Sequence, residues 1–97
     1  MGIFKITKTE SEQFPIGLRY SAPDLEAGEI IESVEVSITP SVEGGLAVYG
    51  DPDVDSDMVQ QVVRGGKDGE EYTVYFKVTT SAHDIYEDTI LVRIRNE

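Results

Sequence analysis

Hydrophobic and polar residues alternate along most of the chain, and this period of two is typical of strands with one buried face. The clearest run spans residues 71–80. Its predicted inward face holds Tyr72, Val74, Phe76 and Val78. A second run follows the polar link of residues 81–84 and has Ile90, Val92 and Ile94 on one face. The two runs predict a hairpin near the C-terminus.

Shorter alternating runs predict the remaining strands. Upstream of the hairpin, the predicted inward residues are Ile16, Leu18, Tyr20, Ile30, Val34, Val36 and Ile38. Pro40 is expected to end the strand that contains Val36 and Ile38, because proline has no backbone N–H to donate to the ladder. A turn is predicted around Pro23, weaker strands over residues 46–49 and 58–63, and an edge strand over residues 3–7.

Six or seven short strands without a helical period predict an all-β fold, an immunoglobulin-like antiparallel β-sandwich of about seven strands. Residues 1–97 are expected to form a single domain, with residues 1–12 as an N-terminal edge strand or a flexible arm. No second domain, linker or internal repeat is evident in the sequence.

A turn at Asp68 and Gly69 precedes Tyr72 at the start of the penultimate strand. This order is typical of a tyrosine corner, in which a buried tyrosine donates or accepts a hydrogen bond with backbone a few residues upstream. We therefore predict structural roles for Gly69 in the turn and for Tyr72, Val74 and Phe76 in the core. The chain has no cysteine, so it is not an antibody-type domain with a core disulfide.

The formal net charge of −11 is concentrated in the middle of the chain. Between Arg19 and Arg64 there is no basic residue, whereas that stretch contains ten acidic ones. Such a composition disfavours nucleic acid and anionic membrane surfaces as partners. The simpler interpretation is a solvated, solubilising face, and the alternative is a field of one sign that steers a basic protein partner or holds cations.

Candidate catalytic groups are few. His83 is the only histidine, and its sequence neighbours Ser81 and Asp84 lie in a short link where adjacent side chains point apart. They cannot form the nucleophile, base and orienting group of a triad. The sequence therefore predicts a protein that is not an enzyme.

An aspartate series is the one candidate metal site: Asp51, Asp53, Asp55 and Asp57. Carboxylate oxygens at short spacing suit calcium, but Ser56 and Val62 stand where an EF-hand loop needs glycine and glutamate. Two interpretations remain: a looser calcium site of the cadherin kind, or a solvated acidic loop. We predict no other cofactor.

Three stretches resemble a family of small immunoglobulin-like phage structural proteins, the fiber-tail adaptor or tail and neck proteins. They are LEAGEIIESVEVSI at residues 25–38, GGKDGEEYTVYFKVTTS at 65–81 and EDTILVRIR at 87–95. The residues that fit the family pattern are Gly28, Glu29, Ile30, Gly65, Gly66, Gly69, Glu71, Tyr72, Val74, Thr79 and Thr80. One departure is that Ser21 to Asp24 replace the Asp-Trp pair often found in the first turn of the family.

The resemblance implies a non-enzymatic structural or adaptor protein of a phage or prophage virion, at the tail, neck or fiber attachment. Its partners would be other phage structural proteins, with a homo-oligomer in the particle as a further expectation. It would be located in the virion, or in the host cytoplasm before assembly. The alternative is a fibronectin III-like or cadherin-like binding domain of a surface protein, assisted by calcium.

Overall fold

The computed structural model describes residues 3–20, 28–40 and 43–96. In these ranges the chain forms seven strands and no helix, as the alternating pattern predicts. The strands are β1 (Ile3–Lys8), β2 (Gln13–Arg19), β3 (Ile31–Thr39), β4 (Leu46–Val54), β5 (Met58–Gly65), β6 (Glu71–Thr80) and β7 (Ile85–Ile94). The predicted turn around Pro23, with the Ser21 to Asp24 departure, lies outside the described residues. The described part also has no helix with the length and apolar character needed to cross a membrane.

Two sheets pack face to face as a β-sandwich. One has four strands in the order β1-β7-β6-β3, and the other has three in the order β2-β5-β4. Four of the strand pairs are antiparallel, as expected, but β1 pairs with β7 in parallel. No hairpin joins β1 to β7, so chain connectivity does not impose an antiparallel direction on this pair. The edge position predicted for residues 3–7 is found, since β1 is the outermost strand of its sheet.

The β6–β7 hairpin supplies the centre of the core. The four predicted inward residues of β6 are at most 1% exposed, and those of β7 are at most 3% exposed. Backbone hydrogen bonds from Thr80 N to Asp84 O and from His83 N to Thr80 O close the turn between the strands. In the facing sheet, β2 contributes three further buried residues that the alternation predicts: Ile16, Leu18 and Tyr20.

The start of β3 differs from the predicted pattern. Ile31 is buried, whereas Ile30, which was expected to face inward, is 46% exposed. The register with β6 shifts between Ile31 and Ser33, so one extra residue is accommodated there. A bulge of this kind changes which residues face the core, and a strict period of two cannot anticipate it.

Strand β4 is longer than the predicted residues 46–49, because it continues past an irregularity to Val54. Its register with β5 shifts between Tyr49 and Asp53. The buried Gln61 side chain donates hydrogen bonds to the carbonyl oxygens of Tyr49 and Gly50, at 3.3 and 3.2 Å. Gln61 thereby satisfies backbone groups that the irregular pairing leaves without ladder partners.

Tyr72 joins the start of β6 to the turn before it. Its ring is 1% exposed, and its hydroxyl accepts a hydrogen bond from the backbone N of Lys67 at 3.1 Å. Gly69 has a φ of 86°, which favours glycine, and its N donates to the carbonyl of Ile94 at 2.8 Å. The turn is therefore tied both to the core and to the end of β7.

Two substitutions of Tyr72 separate the contributions of its ring and of its hydroxyl to the free energy of unfolding. We expect Tyr72→Ala to lower the free energy of unfolding by about 3–5 kcal/mol, because it removes a buried aromatic ring. Tyr72→Phe keeps the ring and should cost about 1 kcal/mol through the lost hydrogen bond. Urea denaturation of both variants measures these values. An alanine variant with the wild-type midpoint would contradict a core role for the ring.

Candidate functional site

The residues first considered for catalysis do not come together. The His83 side chain is exposed in the β6–β7 turn, where its backbone has a φ of 67°. Ser81 Oγ accepts a hydrogen bond from the backbone N of Ile30 at 3.0 Å. The His83 imidazole is exposed to solvent, and the Ser81 hydroxyl accepts a backbone hydrogen bond. This arrangement lacks the water-excluded, aligned geometry of a general base and its nucleophile.

The four aspartates of the candidate calcium site are distributed over a strand and a turn. Asp51 and Asp53 belong to β4, which was expected to be loop there, and Asp55 lies in the turn before β5. Asp55 Oδ1 accepts a hydrogen bond from the backbone N of Ser56 at 3.0 Å. Among the described residues, no three His, Cys, Asp or Glu side chains form a group able to hold a metal ion. The calcium site stays a prediction.

Thermal unfolding with and without calcium distinguishes the two interpretations of this segment, a calcium site or a solvated acidic loop. Because no carboxylate triad is assembled in the described residues, we expect about 5 mM calcium to shift Tm by less than about 1 °C relative to EDTA. Magnesium at the same concentration controls for general screening of the acidic surface. A rise of several degrees that is specific to calcium and lost in Asp53→Asn would instead establish the site.

One side of the sandwich carries the acidic charge. Strands β3 and β4 are the outer strands of their respective sheets, and they contact each other. Their sequences contain no lysine or arginine. We call their exposed carboxylates the acidic edge: Glu32, Glu35, Asp51 and Asp53. The acidic stretch of the sequence thus places exposed carboxylates on two adjacent outer strands.

Apolar side chains are exposed on the same side. Tyr49 of β4 is 49% exposed, and the Arg64 guanidinium lies 4.7 Å from the centre of its ring. Val48 is 41% exposed. An exposed aromatic residue beside charged groups is the composition of a protein-binding surface, in which the ring supplies contact area and the charges supply orientation.

The two outer strands on the opposite side carry basic residues instead. Strands β1 and β2 are the other two outer strands, and their sequences contain no aspartate or glutamate. They carry Lys5, Lys8 and Arg19. The side chains of Lys5 and Arg19 are exposed, and Arg19 Nη2 lies 3.6 Å from Met58 Sδ.

Lys8 is buried, which the sequence did not predict. Its Nζ donates hydrogen bonds to the carbonyl oxygens of Thr9 and Gly65, both at 2.8 Å. Burial lowers the pKa of this amine, and the nearby carboxylates of Glu12 and Glu10 act in the opposite direction. The bond to Gly65 connects β1 of one sheet with the end of β5 in the other.

A polar cluster of Glu10, Asp68 and Asn96 covers the same end of the sandwich. Glu10 Oε2 accepts from the backbone N of Asp68 at 2.9 Å, and its Oε1 accepts from Asn96 Nδ2 at 2.7 Å. The backbone N of Asn96 donates to Asp68 Oδ1 at 2.8 Å. These bonds lower the pKa of Glu10, the backbone bond from Asp68 having the largest effect. Three segments distant in sequence are held together here.

The stabilisation provided by Glu10 should depend on pH. Its pKa is lower in the folded protein than the ordinary value of 4.5. A lowered carboxyl pKa stabilises the fold above the unfolded-state pKa, and this contribution disappears as the pH falls through the folded-state pKa.

We therefore expect Glu10→Gln to have a lower Tm than the wild type at neutral pH, with the difference fading in acid. Glu70→Gln, at an exposed position near the same end, is the matched control. We expect the Tm difference between this variant and the wild type to be the same at neutral and at acid pH. If the Tm of Glu10→Gln stays below that of the wild type by the same amount down to acid pH, the ionised Glu10 carboxylate does not stabilise the fold.

A second polar connection joins the sheets at the other end. The buried Tyr20 donates its hydroxyl proton to Asp88 Oδ2, and its ring stacks on that of Tyr86 with centroids 5.7 Å apart. Tyr20 follows β2, whereas Asp88 and Tyr86 belong to β7. Nearby, the Thr80 hydroxyl donates to the carboxylate of Glu29. Sequence alternation indicated that Tyr20 is buried but gave no sign of its acidic partner.

These features define a class of protein. The chain is an all-β sandwich of two sheets, whose outer strands differ in charge and whose buried polar groups connect the sheets. Comparison with known families then matches residues 8–93 to the family described as "Podophage GP4 fiber-tail adaptor protein gp77". The chain belongs to this family, which confirms the resemblance seen in the sequence. Among curated proteins no match was found.

The family gives the chain its general function. It is a structural adaptor protein of phage tails, and as such a component of the virion that binds other tail proteins. The alternative, a fibronectin III-like or cadherin-like domain of a surface protein, is not favoured by this assignment.

Proposed function

We propose that the protein acts without catalysis, as a rigid sandwich that holds tail proteins together through its outer strands, with the acidic edge against a basic partner. The observation that carries this proposal is the segregation of charge: β3 and β4 have exposed carboxylates and no basic residue. Complementary charge steers association and fixes the orientation of the partner. The exposed Tyr49 on β4 supplies an aromatic anchor within the same surface.

A homo-oligomer in the particle is part of this proposal. Strands β1 and β2, which expose Lys5 and Arg19, lie across the sandwich from the acidic edge. Identical copies placed side by side would bring these two basic residues near the acidic edge of the next copy. Such a head-to-tail contact is heterologous and generates a ring if the rotation between copies closes. Before assembly, the protein is expected in the host cytoplasm.

Charge reversal on the acidic edge tests the proposal. In phage particles carrying Glu35→Lys with Asp53→Lys, we expect the amount of the protein in the virion to fall by about tenfold, because like charges face each other across the contact. The readout is mass spectrometry of gradient-purified particles. It follows the tryptic peptide of residues 78–93, which these substitutions leave unchanged.

The matched control is Glu70→Lys with Glu71→Lys. It changes the net charge by the same four units at exposed positions outside the acidic edge, and leaves the same peptide intact. We expect wild-type incorporation for this control. Equal loss in both variants would show that net charge, rather than the acidic edge, governs assembly. Absence of the wild-type peptide from intact particles would overturn the adaptor function itself.

A further inference from the structure

We propose that identical copies of the protein join by extending the four-stranded sheet, with β1 of one copy pairing in parallel with β3 of the next and Lys5 lying opposite Glu35. The proposal rests on the homo-oligomer that forms part of the proposed function, and it specifies the strands, the direction and the register of that contact. Three properties of the sheet support it: the unpaired backbone groups of its outer strands, the direction of these strands, and the side chains along them.

Strand β1 leaves the backbone of every second residue unpaired. The N of Arg95 donates to the carbonyl oxygen of Lys8, so the backbone of Lys8 faces β7. Backbone groups alternate in direction along a strand, so Ile6, two positions earlier, also faces β7. The N and carbonyl groups of Lys5 and Thr7 therefore face outward, where no described strand pairs with them.

Strand β3 has a complementary set of free groups. The N of Thr80 donates to the carbonyl oxygen of Asp84 on the β7 side, so by alternation Lys77, three positions earlier, directs its backbone toward β3. Its cross-strand partner is Glu35, whose backbone therefore faces β6. The two residues that flank Glu35 have their N and carbonyl groups on the outer edge of β3, where no described strand pairs with them: Val34 and Val36.

The direction of the strands permits a parallel ladder between copies. Strands β1 and β3 run the same way, because β1 is parallel to β7, and β6 is antiparallel to both β7 and β3. A copy displaced sideways therefore presents its β1 parallel to β3 of its neighbour. In a parallel pair, a residue bonds to the two residues that flank the one opposite it. Lys5 bonds in this way to Val34 and Val36 when it lies opposite Glu35.

The charged side chains favour this register. Lys5 and Glu35 are both exposed on the outer face of the sheet, since each alternates with residues that face the core. Glu35 already has Lys77 opposite it on β6, and Lys5 of the next copy supplies a basic neighbour on the open side. Opposite charges directly across adjacent strands attract. A shift of two residues in either direction would set Lys5 opposite a serine instead.

The apolar side chains favour the same register. Phe4 and Ile6 lie on the inner face of β1, because they pair with buried residues of β7. With Lys5 opposite Glu35, they come beside Val34 and Val36 on the inner face of β3. Phe4 is 52% exposed, and the other three are only partly buried. Extension of the sheet therefore removes apolar surface from water on both strands.

Charge disfavours the two symmetric alternatives. Copies joined through two β1 strands would bring Lys5 side chains together, because β1 has no acidic residue to oppose them. Copies joined through two β3 strands would bring Glu32 and Glu35 together without a basic residue. Like charges on adjacent strands are destabilising. The favoured contact joins unlike edges, so it leaves one edge of each kind free and repeats from copy to copy.

Paired cysteines in assembled particles test the contact, since the chain has no cysteine of its own. In the proposed register Thr7 lies opposite Ser37, and both residues are exposed. Thr7→Cys with Ser37→Cys should form disulfides between copies when gradient-purified particles are oxidised. Within one copy these positions lie on the two outermost strands of the sheet, at least about 14 Å apart, which is too far for a disulfide.

The matched control is Thr7→Cys with Ser33→Cys. Ser33 is also exposed on β3, but it lies four residues from Ser37, about 13 Å along the strand. On non-reducing gels we expect a ladder of oligomers beyond the dimer for the Ser37 pair, and about tenfold less crosslinked protein for the Ser33 pair.

Charge substitutions in the Thr7→Cys, Ser37→Cys background test the register further. Lys5→Glu should reduce the ladder by about tenfold, whereas Lys67→Glu, at an exposed position outside the contact, should leave it unchanged. Adding Glu35→Lys to Lys5→Glu should restore part of the ladder, because opposite charges again face each other between copies. Recovery is partial because Lys77 remains beside position 35.

The proposal is wrong if the cysteine variants are incorporated into particles but give no ladder, if crosslinking stops at the dimer, or if the Ser33 pair crosslinks as well as the Ser37 pair. In each of these cases the adaptor function still stands, because the protein is present in the virion. Absence of the wild-type protein from intact particles would instead remove the adaptor function, and this contact with it.

Discussion

The inward face of β6 is the constraint on which the rest of the sandwich depends. This strand is paired on both sides, with β3 and with β7, and its four inward side chains are at most 1% exposed. A shift of one residue in either pairing would turn those side chains to solvent and place polar ones in the core. The hydrogen bond between the Tyr72 hydroxyl and Lys67 holds the turn that starts the strand. The register of the four-stranded sheet therefore follows from the start of β6.

With the centre of each sheet occupied by β5, β6 and β7, the four remaining strands become edges, two on each side of the sandwich. An edge strand presents unpaired backbone groups, and charged residues limit indiscriminate pairing there. This chain uses negative charge on β3 and β4 and positive charge on β1 and β2. The same charges that limit unspecific pairing also distinguish the two sides of the sandwich.

The sequence was sufficient to predict the β-sandwich, the C-terminal hairpin and the inward faces of β2, β6 and β7, because each depends on a local period of two. It failed where additional residues interrupt that period: one after Ile31 in β3, and two between Tyr49 and Asp53 in β4. Bulges depend on what the neighbouring strand can accommodate, which local pattern does not record.

The distribution of charge along the chain was also evident, but its separation onto two opposite sides was not. That separation follows from strand order, which places β3 and β4 together although they belong to different sheets. The buried Lys8 and the Tyr20 bond to Asp88 were missed for a related reason. Each involves partners more than fifty positions apart in the sequence, so no local signal identifies them.

Those two buried polar contacts connect the sheets at opposite ends of the sandwich. Apolar packing is not directional, so by itself it leaves the alignment of one sheet on the other poorly defined. A hydrogen bond has a preferred geometry, and a buried polar group without its partner costs free energy. The Lys8 bond to Gly65 at one end and the Tyr20 bond to Asp88 at the other therefore favour a single alignment of the two sheets.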